Sequence, residues 1–263
     1  GKPFAYVFDK FDLINNNPNP RNFEYYAADF PGTAKVVPVT INGGSAFNYF
    51  VGYGANKATH VFGFKTPNSF ATNAKLYESS ETFGDPLGFQ IDNPKWRAGF
   101  LYFCFNEQYV QGRYHVRFVR LPCKDVGGNL WTSLSASDGF FDHYFGLSGP
   151  GDAPGDQVSY LKPAIAVNKN LDCAIVYGRV GFKTAQPLYP EARFSLLYHN
   201  KSSQNPSTLI HKGNFNPGTP MEKRLDLVNA VVDPTDDQTL WFVHAFADQS
   251  LNDYRMVIGH VKP

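Results

Sequence analysis

Arg193 is one of the side chains in this sequence whose type suits ligand chemistry. It stands between Ala192 and Phe194 at the opening of a strand-like run, where a guanidinium can grip a carboxylate or an acidic sugar through two parallel hydrogen bonds. The same group would serve equally well as an ion pair between neighbouring sheets. Asp233, Asp236 and Asp237 offer three close carboxylates, a set that attracts a hard cation. Their spacing is not that of a calcium loop, and Asp, Pro and Thr are also ordinary turn residues. Asp138, Asp142 and His143 lie beside Phe140, Phe141, Tyr144 and Phe145. Rings next to carboxylates suit sugar stacking with hydroxyl hydrogen bonds, and equally a loop folded over a sheet or a subunit contact.

Other chemistry is scarce. The chain has three cysteines. Cys104 and Cys123 fall on consecutive strand runs and could bridge in an oxidising compartment; with Cys173 they serve as well as small buried apolar groups. No CxxC or CxxH spacing exists, so zinc is not expected. Nucleophile-elbow, HExxH, P-loop and dinucleotide motifs are all missing, and no cofactor is expected. Asn200-Lys201-Ser202 is a glycosylation sequon in a polar loop.

The elements that must position these groups are strands. The chain holds 24 Phe, 15 Tyr and 3 Trp, with 23 Gly and 19 Pro among its 263 residues. Aromatics favour strands, Gly and Pro supply turns, and long helix-forming stretches are absent. Four meander-like units read out at about residues 35–80, 86–135, 160–212 and 224–263. Each has a turn after its first strand, at Asn42, Asp92, Asn168 and Asp233. Repeated antiparallel meanders at this period predict an all-β chain folded as one β-propeller domain of four-stranded blades. It is read as a ring of four to five blades or the C-terminal part of a larger one. Residues 4–14 read as a single strand, which with 23–28 would complete another blade. Residues 136–160 read as a long loop. Tyr114 to Leu121 alternates apolar with polar, which predicts one buried and one solvated face.

Charge is balanced at +1, so neither nucleic acid nor an anionic membrane is the expected partner. No apolar run reaches the roughly 20 residues of a membrane span. The start Gly1-Lys2-Pro3, without Met, reads as a processed or trimmed terminus.

The runs YLKPAIAVNKNLDCAIVYG (160–178), YPEARFSLLY (189–198), RLDLVNAVVDPTDDQTLWFVHAF (224–246) and YRMVIGHVK (254–262) resemble the C-terminal blades of secreted sialidase-like (BNR-type) propeller proteins. The resemblance covers residues 114–263 and implies a propeller in an extracellular or secreted protein. It places Asp226 in an innermost strand near the central channel, as a ligand contact or as a carboxylate capping backbone N–H groups. It offers Arg193 and Arg224 for a carboxylate clamp. A third clamp arginine and the Tyr–Glu nucleophile pair have no counterpart by motif. The nearest approach to an Asp-box, Ser135 to Gly139, lacks the spacing and the Trp. Two functions follow. One is a non-catalytic extracellular binding or assembly module, with a protein partner or a second copy, and with carbohydrate as a candidate ligand. The other is a glycoside hydrolase working through Asp226, Asp92 and Glu191 around the central pocket.

Overall fold

The computed structural model describes residues 4–8, 13–19, 22–30, 33–54, 59–65, 76–78, 91, 93–110, 113–145, 157–183, 186–200, 207–215, 228–250 and 253–263. Among them the chain forms five β-sheets and no long helix. The first sheet pairs β1 (Ala5–Phe8) with β2 (Asn22–Tyr25). The second is β3 (Thr33–Pro38), β5 (Asn48–Gly54), β6 (Thr59–Phe64) and β7 (Leu76–Glu78), in that order. The third centres on β8 (Lys95–Arg97), β9 (Phe100–Val110) and β10 (Arg113–Val126). β4 (Thr40–Asn42) joins its inner edge, while β11 (Asn129–Thr132) and β12 (Phe141–Phe145) share the outer edge of β10. The fourth is a meander of β13 (Gln157–Val167), β14 (Cys173–Lys183), β15 (Gln186–Leu197) and β16 (Thr208–His211). The fifth is β17 (Asn229–Val232), β18 (Leu240–Asp248) and β19 (Asp253–Val261).

The sheets stack face to face in chain order, each interface filled by its own apolar layer. Tyr25 and Phe30 meet Phe50, Phe62 and Phe64 between the first and second sheets. Tyr49, Val51 and Val61 meet Trp96, Phe103, Val119 and Leu121 between the second and third. Tyr102, Val116 and Phe118 meet Ile165, Ile175 and Tyr177 between the third and fourth. Ala164, Ala174 and Val176 meet Ala230, Leu240 and Phe242 between the fourth and fifth. Each large side chain so buried contributes about 1.5–3 kcal/mol. Val61 faces one layer and Phe62 the other, as the two-residue period of a strand requires.

The inner strands run in one direction. β4 and β8 pair in parallel. Asn93, just before β8, bonds Asn229 at the start of β17. Arg97, at the end of β8, reaches Val167 at the end of β13 and Asp237 beyond β17. Stacked antiparallel sheets whose first strands run alongside one another define a β-propeller.

Three expectations change. The strand read over residues 4–14 is recorded as Ala5–Phe8; Leu13 and Ile14 start an exposed turn closed by the Asn16 amide on the Leu13 carbonyl. The loop read at 136–160 contains β12, held on β10 from Val116 to Arg120. The solvated face of β10 does not exist, because sheets cover both sides: His115 and Val119 are as buried as Val116 and Phe118. Arg117 and Arg120 lie instead against Phe105 and Tyr144, and Phe100 and Phe141.

Gly259 has a packing reason. A Cβ there would sit 2.4 Å from the Phe242 ring, which covers it across the strand pair and stacks on Phe194 with centroids 5.1 Å apart. Gly259→Ala is expected to lower stability by about 1–3 kcal/mol through overpacking, read as a shifted urea midpoint at unchanged slope.

Candidate functional site

The polar groups of the inner strands gather where β4, β8, β13 and β17 run side by side. β8 is short because Pro94 precedes it and a tight turn follows. Ala98 and Gly99 both have positive φ (48° and 84°), the geometry of a two-residue hairpin turn. Trp96 points to the second sheet, stacking on Tyr49 and donating its indole N–H to the Cys123 carbonyl at 2.8 Å. Alternation therefore turns Lys95 and Arg97 to the other side, toward the fourth sheet.

Arg97 is well satisfied. It donates to the Val167 carbonyl at 3.1 Å and pairs with the Asp237 carboxylate. The Asp237 carbonyl accepts the Lys169 amide at 3.0 Å, so one arginine ties the third sheet to the turns of the fourth and fifth. Lys95 is different. It is 2% exposed, and among the described residues its ammonium reaches only Thr40 Oγ1, at 3.5 Å. Burial pushes its pKa down to about 8. Thr40 Oγ1 in turn donates to Asn93 Oδ1 at 3.1 Å, and Asn93 donates to Asn229.

Arg193 lies in a second network, within the fourth sheet. It donates to Glu191 at 2.8 Å and to the Ser207 hydroxyl and carbonyl at 2.7 and 3.0 Å. Arg179 donates to the same Glu191 oxygen at 3.2 Å and lies over the Tyr160 ring. Glu191 is 3% exposed, so this carboxylate anchors two guanidiniums and is closed to a sugar. The ion pair expected of Arg193 exists within its own strand rather than between sheets. A third network joins Arg117 to Asp142 through Nε and Nη2 and to Glu107 at 3.5 Å.

The remaining sequence candidates are scattered. Asp138 accepts the Ser133 hydroxyl at 2.6 Å on an exposed turn. His143 stacks on Phe141 and meets Phe145 edge-on, on the face opposite Asp142. Asp138, Asp142 and His143 thus do not form one site. Asp233 accepts from the Thr235 amide and hydroxyl and from the Trp241 indole. Asp236 accepts from Gln238 and Thr239 amides, which hold its carboxyl well below the usual range. The aspartates are therefore turn chemistry, not a cation cage. Asn200 is exposed on a turn. Asp226, Arg224 and Asp92 lie outside the described residues. Cys104 and Cys123 are free and buried on opposite faces of the third sheet, one in each neighbouring apolar layer. No bridge can join them, and burial raises both thiol pKa values. Among the described residues no set of three His, Cys, Asp or Glu side chains converges on a metal position, and no helix is long and apolar enough to cross a membrane.

One surface stands out. The outer face of the fifth sheet carries Val231, Trp241, Val243 and Ile258 around a groove of about 250 Å³. Ile258 is 71% exposed, where the opposite face of the same sheet is packed. The outer face of the first sheet likewise shows Phe4, Tyr6 and Tyr26, with Phe4 and Tyr6 edge to face at 4.7 Å.

No protein-family model matches the chain, and no curated protein sequence matches it. Several solved structures overlap it loosely. The xylan β-1,4-xylosidase of Bacillus halodurans C-125 overlaps with TM-score 0.41 at 9% identity over 86% of this chain and 39% of that one, so the chain spans about two fifths of its length. The GH93 α-L-arabinofuranosidase of Fusarium graminearum overlaps with TM-score 0.42 at 8% identity, over 99% of this chain and 86% of that one. The α-L-arabinanase of Penicillium chrysogenum gives 0.39 at 10%, over 82% and 71%. None of the three is a sialidase-like protein. The overlap is coarse, and the propeller assignment rests on the stacking of this chain's own sheets.

Proposed function

We propose that the chain is a non-catalytic binding module that assembles through the two uncovered faces of its sheet stack. The outer face of β17–β19 would pack on the outer face of β1–β2 of a second copy. The observation that carries this reading is the exposed apolar face around Trp241 and Ile258. Every sheet between the first and the last is covered on both sides by an apolar layer. A second copy continues that series, first sheet upon last, and such a head-to-tail contact closes into a ring of copies or grows into a fibre. Light scattering of the full chain between roughly 1 and 100 μM tests it, the range that a weak to moderate contact spans. The mass should rise with concentration, and Ile258→Glu should stay monomeric at an unchanged melting temperature. A wild-type chain that is monomeric throughout overturns the reading.

A carbohydrate ligand is the second reading, favoured by one observation: Trp241 is 37% exposed in the groove, beside Asn229. An exposed ring offers a stacking face and an amide offers hydrogen bonds. Titration with arabino- and xylo-oligosaccharides, followed by tryptophan fluorescence, should give a saturable change lost in Trp241→Ala. The hydrolase reading loses Glu191, which two arginines enclose.

A further inference from the structure

We propose that the side of β8 that faces the fourth sheet is a binding site for a small anion, a halide or a carboxylate, held by the Lys95 ammonium. Lys95 carries three N–H donors, and its one partner is a hydroxyl at 3.5 Å. That hydroxyl, Thr40 Oγ1, spends its own proton on Asn93. Among the described residues no carboxylate forms an ion pair with Lys95. Asp237, which pairs with Arg97 two residues along the same side of the strand, has its charge matched already. Among the described residues two buried cations thus share this side of β8 against one carboxylate.

A buried ammonium without a counter-charge is costly, and the cost is relieved by losing the proton or by taking up an anion. The depressed pKa of about 8 still leaves the group mostly charged at neutral pH. The ammonium is turned to the β4 edge of β8, where Thr40 stands opposite it in the parallel register. A buried ammonium with one long hydroxyl contact, beside a guanidinium whose carboxylate is already taken, is built for an acceptor. Carboxylates and halides fit because they bring acceptor capacity and one negative charge in a small volume.

The test is thermal unfolding of the full chain at constant ionic strength, with chloride, acetate or the bulky sulfonate HEPES as the varied anion. Wild type should gain about 3 °C for each tenfold rise in the bound anion above its dissociation constant. Lys95→Met should respond to all three alike, which separates the site from general salt effects. A gain in chloride alone assigns a halide, and a gain in acetate alone assigns a carboxylate. Identical responses of wild type and variant overturn the proposal. Chloride-35 NMR on the wild-type chain keeps the test open should Lys95→Met fail to fold. Excess line broadening that acetate displaces supports a shared site, and no broadening together with no acetate gain overturns it.

Discussion

Glu191→Ala is expected to lower the stability of the fold by about 3–5 kcal/mol, the loss that follows when one partner of a buried ion pair is removed. The size comes from what is left behind. The Arg179 and Arg193 side chains are only 6% and 14% exposed, and both rely on Glu191 Oε1. Arg193 keeps Ser207. The variant therefore takes from two buried guanidiniums the carboxylate oxygen that they share. Urea unfolding measures the loss. Adding Arg193→Met should recover part of it, because neighbours in one network couple by about 0.5–3 kcal/mol. A loss under about 1 kcal/mol, typical of an exposed pair, would show that water reaches the network.

Lys95 gives the second large effect, and it depends on pH. In the unfolded chain its pKa is near 10.5, and in the fold burial lowers it to about 8. Below pH 8 both states are protonated and the fold bears the full cost of the buried charge. Between pH 8 and 10.5 the unfolded chain binds more protons, so stability rises with pH. The gap corresponds to about 3 kcal/mol, and at 2% exposure little of it is screened away. Tyrosines titrate in the same range, so the quantity to measure is the difference between wild type and Lys95→Met in an anion-poor buffer. The variant should be the more stable below pH 8, and its advantage should shrink by about 3 kcal/mol by pH 10.5. A difference that is flat with pH would mean that Lys95 has a normal pKa.

The strands were legible because their turns were. Asn168 shows why: its Oδ1 accepts the amides of Asn170 and Asp172, local chemistry that any Asn in such a run can perform. Asp233 and Asp236 repeat the device in the last sheet. What covers each strand was not legible. The alternation of Tyr114 to Leu121 reads as one wet face, yet neighbouring sheets enclose both, and Arg117 and Arg120 are accommodated by rings and by Asp142. Arg193 was read as a ligand clamp or as an ion pair between sheets, and its carboxylate lies two residues away on the same strand, at Glu191, which was offered for catalysis. Lys95 gave no signal. The run Asp92-Asn93-Pro94-Lys95 reads as a turn, whereas Lys95 opens the strand Lys95–Arg97, and the parallel approach of β4 and the closeness of β13 bury it. The pairing of Cys104 with Cys123 failed for the same kind of reason: consecutive strands are adjacent, but the two side chains point to opposite layers.

The contact between terminal faces is tested most directly by cross-linking chosen cysteines. The three native thiols are buried to 1% exposure or less, so a new surface cysteine reacts against a silent background. One preparation carries Tyr6→Cys and another carries Ile258→Cys, and the two are mixed with a short bis-maleimide. The mixture should yield a covalent dimer of one chain of each kind, well above the yield when Val126→Cys, exposed on the third sheet, replaces Tyr6→Cys. Equal yields from the two mixtures, or none from either, would contradict assembly of first sheet upon last.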